Sequence, residues 1–136
     1  MSMKQNDYRC PKCKGHLNAG GFVVFSTMNK KKNKGLILLS PKVGDYSFNK
    51  HDAYHIEDGE LVEFFCPICT ADLKSKKNAD YVGLKMVDHN NVEYDVMFSR
   101  KAGDKSTYVV ADDNIETFGD DATEYEELID DYGEMY

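Results

Sequence analysis

The apolar residues of the chain fall into three patterns. Phe22-Val23-Val24-Phe25 and Leu36-Ile37-Leu38-Leu39 are short unbroken runs on either side of Lys30-Lys31-Lys32-Asn33-Lys34-Gly35. Two β-rich runs around a polar loop with glycine predict a hairpin. Because the runs are continuous, they predict strands buried on both faces. Leu61 to Phe65 reads as a strand after the turn Glu57-Asp58-Gly59-Glu60. The second pattern is strict alternation. Val82, Leu84 and Met86 alternate with Gly83, Lys85 and Val87, and Val92, Tyr94, Val96 and Phe98 alternate with Glu93, Asp95, Met97 and Ser99. With turns at Asp88-His89-Asn90-Asn91 and Ala102-Gly103-Asp104, and a third strand from Ser106 to Ala111, this predicts an antiparallel meander with one face toward a core. The third pattern closes the chain: Ala122, Tyr125, Leu128, Ile129 and Tyr132 stand at helical spacing. Asp121 is placed to cap that helix with Glu124 three residues on. Asp130 and Asp131 oppose its dipole, so its stripe needs a surface to dock on.

The chemistry sits in the cysteines. All four fall in two short units, Cys10-Pro11-Lys12-Cys13 and Cys66-Pro67-Ile68-Cys69, with 52 residues between them. Two residues between thiols let both sulfurs face one centre, and two such units complete a tetrahedron. Leu17 and Leu73 each stand seven positions after the first cysteine of their unit, where each would be buried beneath the metal. On these residues the chain resembles the zinc-ribbon class, with two C-P-x-C knuckles at the tips of β-hairpins. The resemblance covers the motifs and their flanks. Ribbons commonly place glycine just after the second cysteine; Lys14-Gly15 partly keeps that habit and Thr70-Ala71 does not. Zinc is the expected ion, bound by Cys10, Cys13, Cys66 and Cys69, with iron in a rubredoxin-like site the rival. Four protein thiolates leave no open position, so the ion is expected to be structural. His16 is expected at the surface rather than as a ligand. His51 and His55 lie among loop residues, and His89 reads as a turn residue.

Charge refines the picture. The chain of 136 residues has a formal net charge of -7. That average argues against nucleic acid. Yet residues 1–77 hold 13 Lys and Arg against 8 Asp and Glu, and residues 78–136 hold 4 against 16. A basic metal-knuckle half thus precedes an acidic end. Lys30, Lys31, Lys32 and Lys34, and Lys74, Lys76 and Lys77, are candidate contacts for a partner or for phosphate. Tyr125, Leu128, Ile129 and Tyr132 are candidates for docking a partner.

The expected organisation is a mainly β protein. Residues 1–77 form a zinc-ribbon-like region with an inserted hairpin, residues 78–119 a β-meander packing on it, and residues 120–136 an acidic amphipathic helix or tail. The start lacks a signal-peptide apolar region and no run is long enough to span a membrane, which suggests a cytoplasmic protein. No nucleophile elbow, P-loop, zincin or dinucleotide fingerprint is present. The expected role is a non-catalytic zinc-binding adaptor acting through protein contacts. The alternatives are a nucleic-acid-associated protein restrained by its acidic tail and a rubredoxin-like electron carrier.

Overall fold

The computed structural model describes residues 6–111 and 114–123. Ten strands run through them: β1 (Asp7–Arg9), β2 (Asn18–Ala19), β3 (Phe22–Met28), β4 (Lys34–Leu39), β5 (Phe48–Lys50), β6 (Glu63–Phe65), β7 (Tyr81–Val87), β8 (Glu93–Ser99), β9 (Thr107–Ala111) and β10 (Asn114–Phe118). They form two antiparallel sheets. One has the order β1-β7-β8-β9-β10; the other has β2-β3-β4-β5, with β6 also paired to β3. No helix long and apolar enough to cross a membrane occurs among the described residues.

The mainly β class is as the sequence predicts, the first hairpin from its two apolar runs around a polar loop and the second from strict alternation. The meander is β7-β8-β9, extended by β10, which the sequence reading did not include. Burial on both faces of the 22–39 hairpin is not what forms. Along β3, Val23, Phe25 and Thr27 point into the core while Val24, Ser26 and Met28 are only half-buried, and Leu36 on β4 is 54% exposed. An unbroken apolar run here is an ordinary two-faced strand whose outer face is itself apolar. The helical stripe Tyr125, Leu128, Ile129 and Tyr132 lies outside the described residues.

The two halves of the chain repeat one another. The β3–β4 and β7–β8 hairpins are closed by the same five-residue turn. In one, Asn29 Oδ1 accepts from the Lys31 and Asn33 amides at 3.0 Å; in the other, Asp88 Oδ1 accepts from Asn90 and Val92 at 2.9 and 3.0 Å. The fourth turn residue is left-handed in both, with φ of 70° at Lys32 and 67° at Asn91. The links that follow also match. Ser40-Pro41-Lys42-Val43-Gly44-Asp45-Tyr46-Ser47 and Ser99-Arg100-Lys101-Ala102-Gly103-Asp104-Lys105-Ser106 share serine, lysine, glycine, aspartate and serine at the same places. Ser40 Oγ accepts from the Lys42 amide at 3.2 Å and Ser99 Oγ from the Lys101 amide at 3.1 Å. Gly44 and Gly103 turn with φ of 91° and 88°, values that favour glycine. Strand register agrees: Phe25 faces Ile37 as Leu84 faces Val96, and Leu38 faces Asn49 as Met97 faces Tyr108.

The halves then exchange strands. β1 pairs with β7 of the second half, Tyr8 opposite Met86, and β6 pairs with β3 of the first, Phe64 opposite Thr27. The core lies between the sheets, with Val23, Phe25 and Ile37 on one side and Val82, Leu84, Met86, Val96 and Val109 on the other. Phe25, Phe64 and Phe98 meet edge to face, their centroids 5.4 to 5.7 Å apart, the favoured geometry for aromatic rings. Among the described residues, no buried side-chain nitrogen or oxygen lacks a hydrogen-bond partner. Thr27 Oγ1 donates to the Gly35 carbonyl and lies 2.7 Å from the Tyr54 hydroxyl. The Tyr54 ring lies so close over Gly35 that a Cβ there would be 2.6 Å from it.

Candidate metal centre

Each knuckle forms because a short strand must reverse with its thiols inward. In the first, β1 leads into Cys10 and returns through His16, which bridges Arg9; in the second, β6 leads into Cys66 and returns through Asp72, which bridges Phe65. The turns are built alike. The Lys14 amide donates to the Cys10 carbonyl and the Thr70 amide to the Cys66 carbonyl, both at 2.9 Å. Leu17 and Leu73 are buried beneath, as their spacing suggested. Their carbonyls accept from the Val24 and Gly83 amides. Each knuckle therefore has one arm in each sheet.

This places four sulfurs together, all within 4.8 Å of one another. The Cys10–Cys69 and Cys13–Cys66 separations are both 3.8 Å. A tetrahedron with metal–sulfur bonds of about 2.3 Å has edges of about 3.8 Å, whereas a disulfide needs about 2.05 Å. The donor set thus fits a tetrathiolate ion and not a pair of disulfides. Backbone amides support the charge: Lys12 and Cys13 donate to Cys10 Sγ at 3.3 and 3.5 Å, and Ile68 and Cys69 donate to Cys66 Sγ at 3.3 and 3.4 Å. Burial works against thiolate formation at Cys10. The Cys13 and Lys12 amides, with the Cys66 and Cys69 thiols, outweigh it and bring Cys10 down to about 7. Burial pushes Cys66 up to about 12. One thiolate forms readily near neutral pH and further negative charge is resisted, which is the electrostatic demand a cation answers.

No glycine fills the position after either second cysteine. Lys14 and Thr70 themselves adopt left-handed backbone, with φ of 65° and 66°. For a β-branched residue this is a true outlier, at a cost of roughly 1–2 kcal/mol. Thr70→Gly should therefore raise the stability of the metal-loaded protein by about 0.5–1 kcal/mol, after allowing for glycine's greater chain entropy. Urea unfolding that finds the variant less stable would contradict this account of the turn.

The other sequence candidates are dispersed. His16 Nδ1 contacts the Asp7 carboxylate at 3.0 Å and is exposed. His51 Nδ1 accepts from the Ala53 amide. The tetracysteine group is the one metal-binding cluster among the described residues. Lys30, Lys31, Lys32 and Lys34 surround the β3–β4 turn, where Lys30 pairs with Glu57 and Lys32 lies 3.9 Å from Glu63. Lys74 lies 4.0 Å from Asp72, on the return arm of the second knuckle together with Lys76 and Lys77.

Fold and site together define a two-sheet β protein whose tandem halves each contribute one C-P-x-C knuckle to a shared, closed tetracysteine centre. Compared with protein-family models, curated proteins and solved structures, the chain finds no match in any of the three.

Proposed function

We propose that the protein is a non-catalytic binding module, held in shape by one structural zinc ion and acting through protein–protein contacts. The observation that carries this reading is the closed donor set. Four thiols at tetrahedral spacing fill every position of the ion, leaving none for substrate or water. Tetrahedral tetrathiolate sites suit zinc first and iron second.

The outer face of β3 and β4 supports the contact half of the reading. Leu36 is exposed, Leu38 and its partner Val24 are half-buried beside it, and half-buried Phe65 lies across Ser26 from it. The solvated face of an antiparallel sheet is ordinarily polar, and a contiguous apolar face rimmed by charge is typical of interaction surfaces. Lys31 and Lys34 rim it at the β3–β4 turn, which suits a protein with an apolar patch and acidic surroundings. Several lysines already face acids of the chain, which weakens the nucleic-acid alternative.

Co-purification from the native host, with metal analysis on the same sample, tests the reading. The expected result is one zinc per chain, a colourless protein and a protein partner that Leu36→Asp releases. Red ferric protein would identify an electron carrier instead. Recovery of nucleic acid, lost at high salt, would establish the other alternative.

A further inference from the structure

We propose that the space between the two sheets is a binding site for a small amphiphilic carboxylate, a fatty acid of medium chain length. Its tail lies along Leu39, Val43, Ile56 and Phe98 and its head at the cationic rim. This goes beyond the zinc and the protein contacts, and rests on neither.

A cavity of about 460 Å³ lies between the sheets. Protein interiors leave few voids larger than a water molecule, whereas small-molecule pockets span roughly 300–1,000 Å³. This volume is on the scale of a ligand pocket, in a cleft that stands half open to solvent. The apolar side chains that still carry exposed surface are half-buried and drawn from both halves, Leu39, Val43 and Ile56 from one and Phe98 from the other, over a layer of Phe25, Ile37, Leu84 and Val96 already buried in the core. Such walls accommodate an alkyl chain and leave the polar groups of a sugar or nucleotide without partners.

The rim is of the opposite character. It is built from both copies of the repeated serine–lysine–glycine–aspartate–serine segment, which bring Lys42 and Lys101 to equivalent places. The second copy adds Arg100 and Lys105 where the first has Pro41 and Tyr46. None of these four cations forms an ion pair among the described residues. Arg100 is the most informative. It is half-buried, its Nε donating to the Val62 carbonyl at 2.9 Å and its Nη1 to the Ala79 carbonyl at 2.6 Å. Two neutral carbonyls hold the guanidinium at the edge of the cleft without neutralising it. A guanidinium so held presents remaining N–H groups in the fork geometry that matches a carboxylate.

The rim also carries acids, and they are accounted for in part. Asp45 accepts from the Ser47 amide and hydroxyl. Asp58 lies against the Cα of Gly103. With Asp104 these make three carboxylates against Lys42, Lys50, Arg100, Lys101 and Lys105, so the lining is net cationic. An apolar floor beneath a positive rim selects one chemistry: a hydrophobic body ending in an anion.

The test is isothermal titration calorimetry on the full-length, metal-loaded protein, with decanoate and with decan-1-ol. The expected result is one decanoate per chain, bound about tenfold tighter than the alcohol, the effect of one charge-assisted hydrogen bond. Arg100→Gln should bring decanoate down to the affinity of the alcohol and leave the alcohol unchanged. Arg100 also holds two carbonyls, so the Lys42→Gln, Lys101→Gln double variant gives a second reading, with a several-fold loss for decanoate alone. Leu39→Trp, which fills the lining, should abolish both. Failure of wild-type protein to bind either compound would overturn the site, as would full binding by folded Leu39→Trp protein. Equal affinities for acid and alcohol, or decanoate binding unchanged in both charge variants, would overturn the anionic assignment.

Discussion

Cys66→Ala should yield a chain that neither retains its ion nor unfolds cooperatively under conditions where the wild type is fully native. The magnitudes decide this. A structural zinc site contributes roughly 10–16 kcal/mol of apparent binding energy to folding, whereas the net stability of a domain is about 5–15 kcal/mol. Removal of one thiolate from a closed set forfeits most of that sum. The architecture sharpens the expectation, because each knuckle has an arm in both sheets and loss of the ion releases both arms. Cys13→Ala should match Cys66→Ala, although Cys66 is fully buried and Cys13 is exposed. If side-chain burial were the cause, the buried position alone would matter. Metal content and thermal melts check both variants. An unchanged stoichiometry and melting temperature in Cys66→Ala would refute the site.

Phe25→Ala should lower the stability of the metal-loaded protein by about 3–5 kcal/mol, the usual cost of deleting a buried phenyl ring. Phe25 is fully buried at the centre of β3 and meets both Phe64 and Phe98 edge to face. Phe98, only partly buried at the end of the β8 ladder, should cost less when truncated. The comparison belongs in urea, with zinc held in excess so that metal loss does not mix with core loss. A Phe25→Ala cost below that of Phe98→Ala would show that the triad is not centred where its contacts place it.

The four-cysteine cluster was the most legible part of the chain, because two short motifs carry all four thiols and the local turn. The β3–β4 hairpin and the β7-β8-β9 meander were legible for a related reason, since short apolar runs around a turn and strict alternation are both local signals. Pairing between distant strands is not local. Nothing in Asp7-Tyr8-Arg9 says that this strand belongs beside Met86 rather than beside its own half. The repeat was a different matter, because its signal was present. Ser40, Lys42, Gly44, Asp45 and Ser47 recur 59 positions later as Ser99, Lys101, Gly103, Asp104 and Ser106. A reading fixed on apolar periodicity passes over it, since the shared residues are polar and set turns. The cavity was beyond sequence reading altogether. Its accessible walls, Leu39, Val43, Ile56 and Phe98, come from segments distant in the chain and meet only when the two halves fold together.

The exchange of strands between the halves also sets an order on biosynthesis. Tyr8 waits for Met86, and Cys10 and Cys13 wait for Cys66 and Cys69, with 52 residues to be made in between. At about 5–20 residues per second, the first dithiol stands open on the nascent chain for roughly 3–10 seconds. In that interval it has no second knuckle to close around an ion and no sheet to shelter in. The four-thiol set is therefore completed late, and the first dithiol is open to oxidation while the ribosome is still at work.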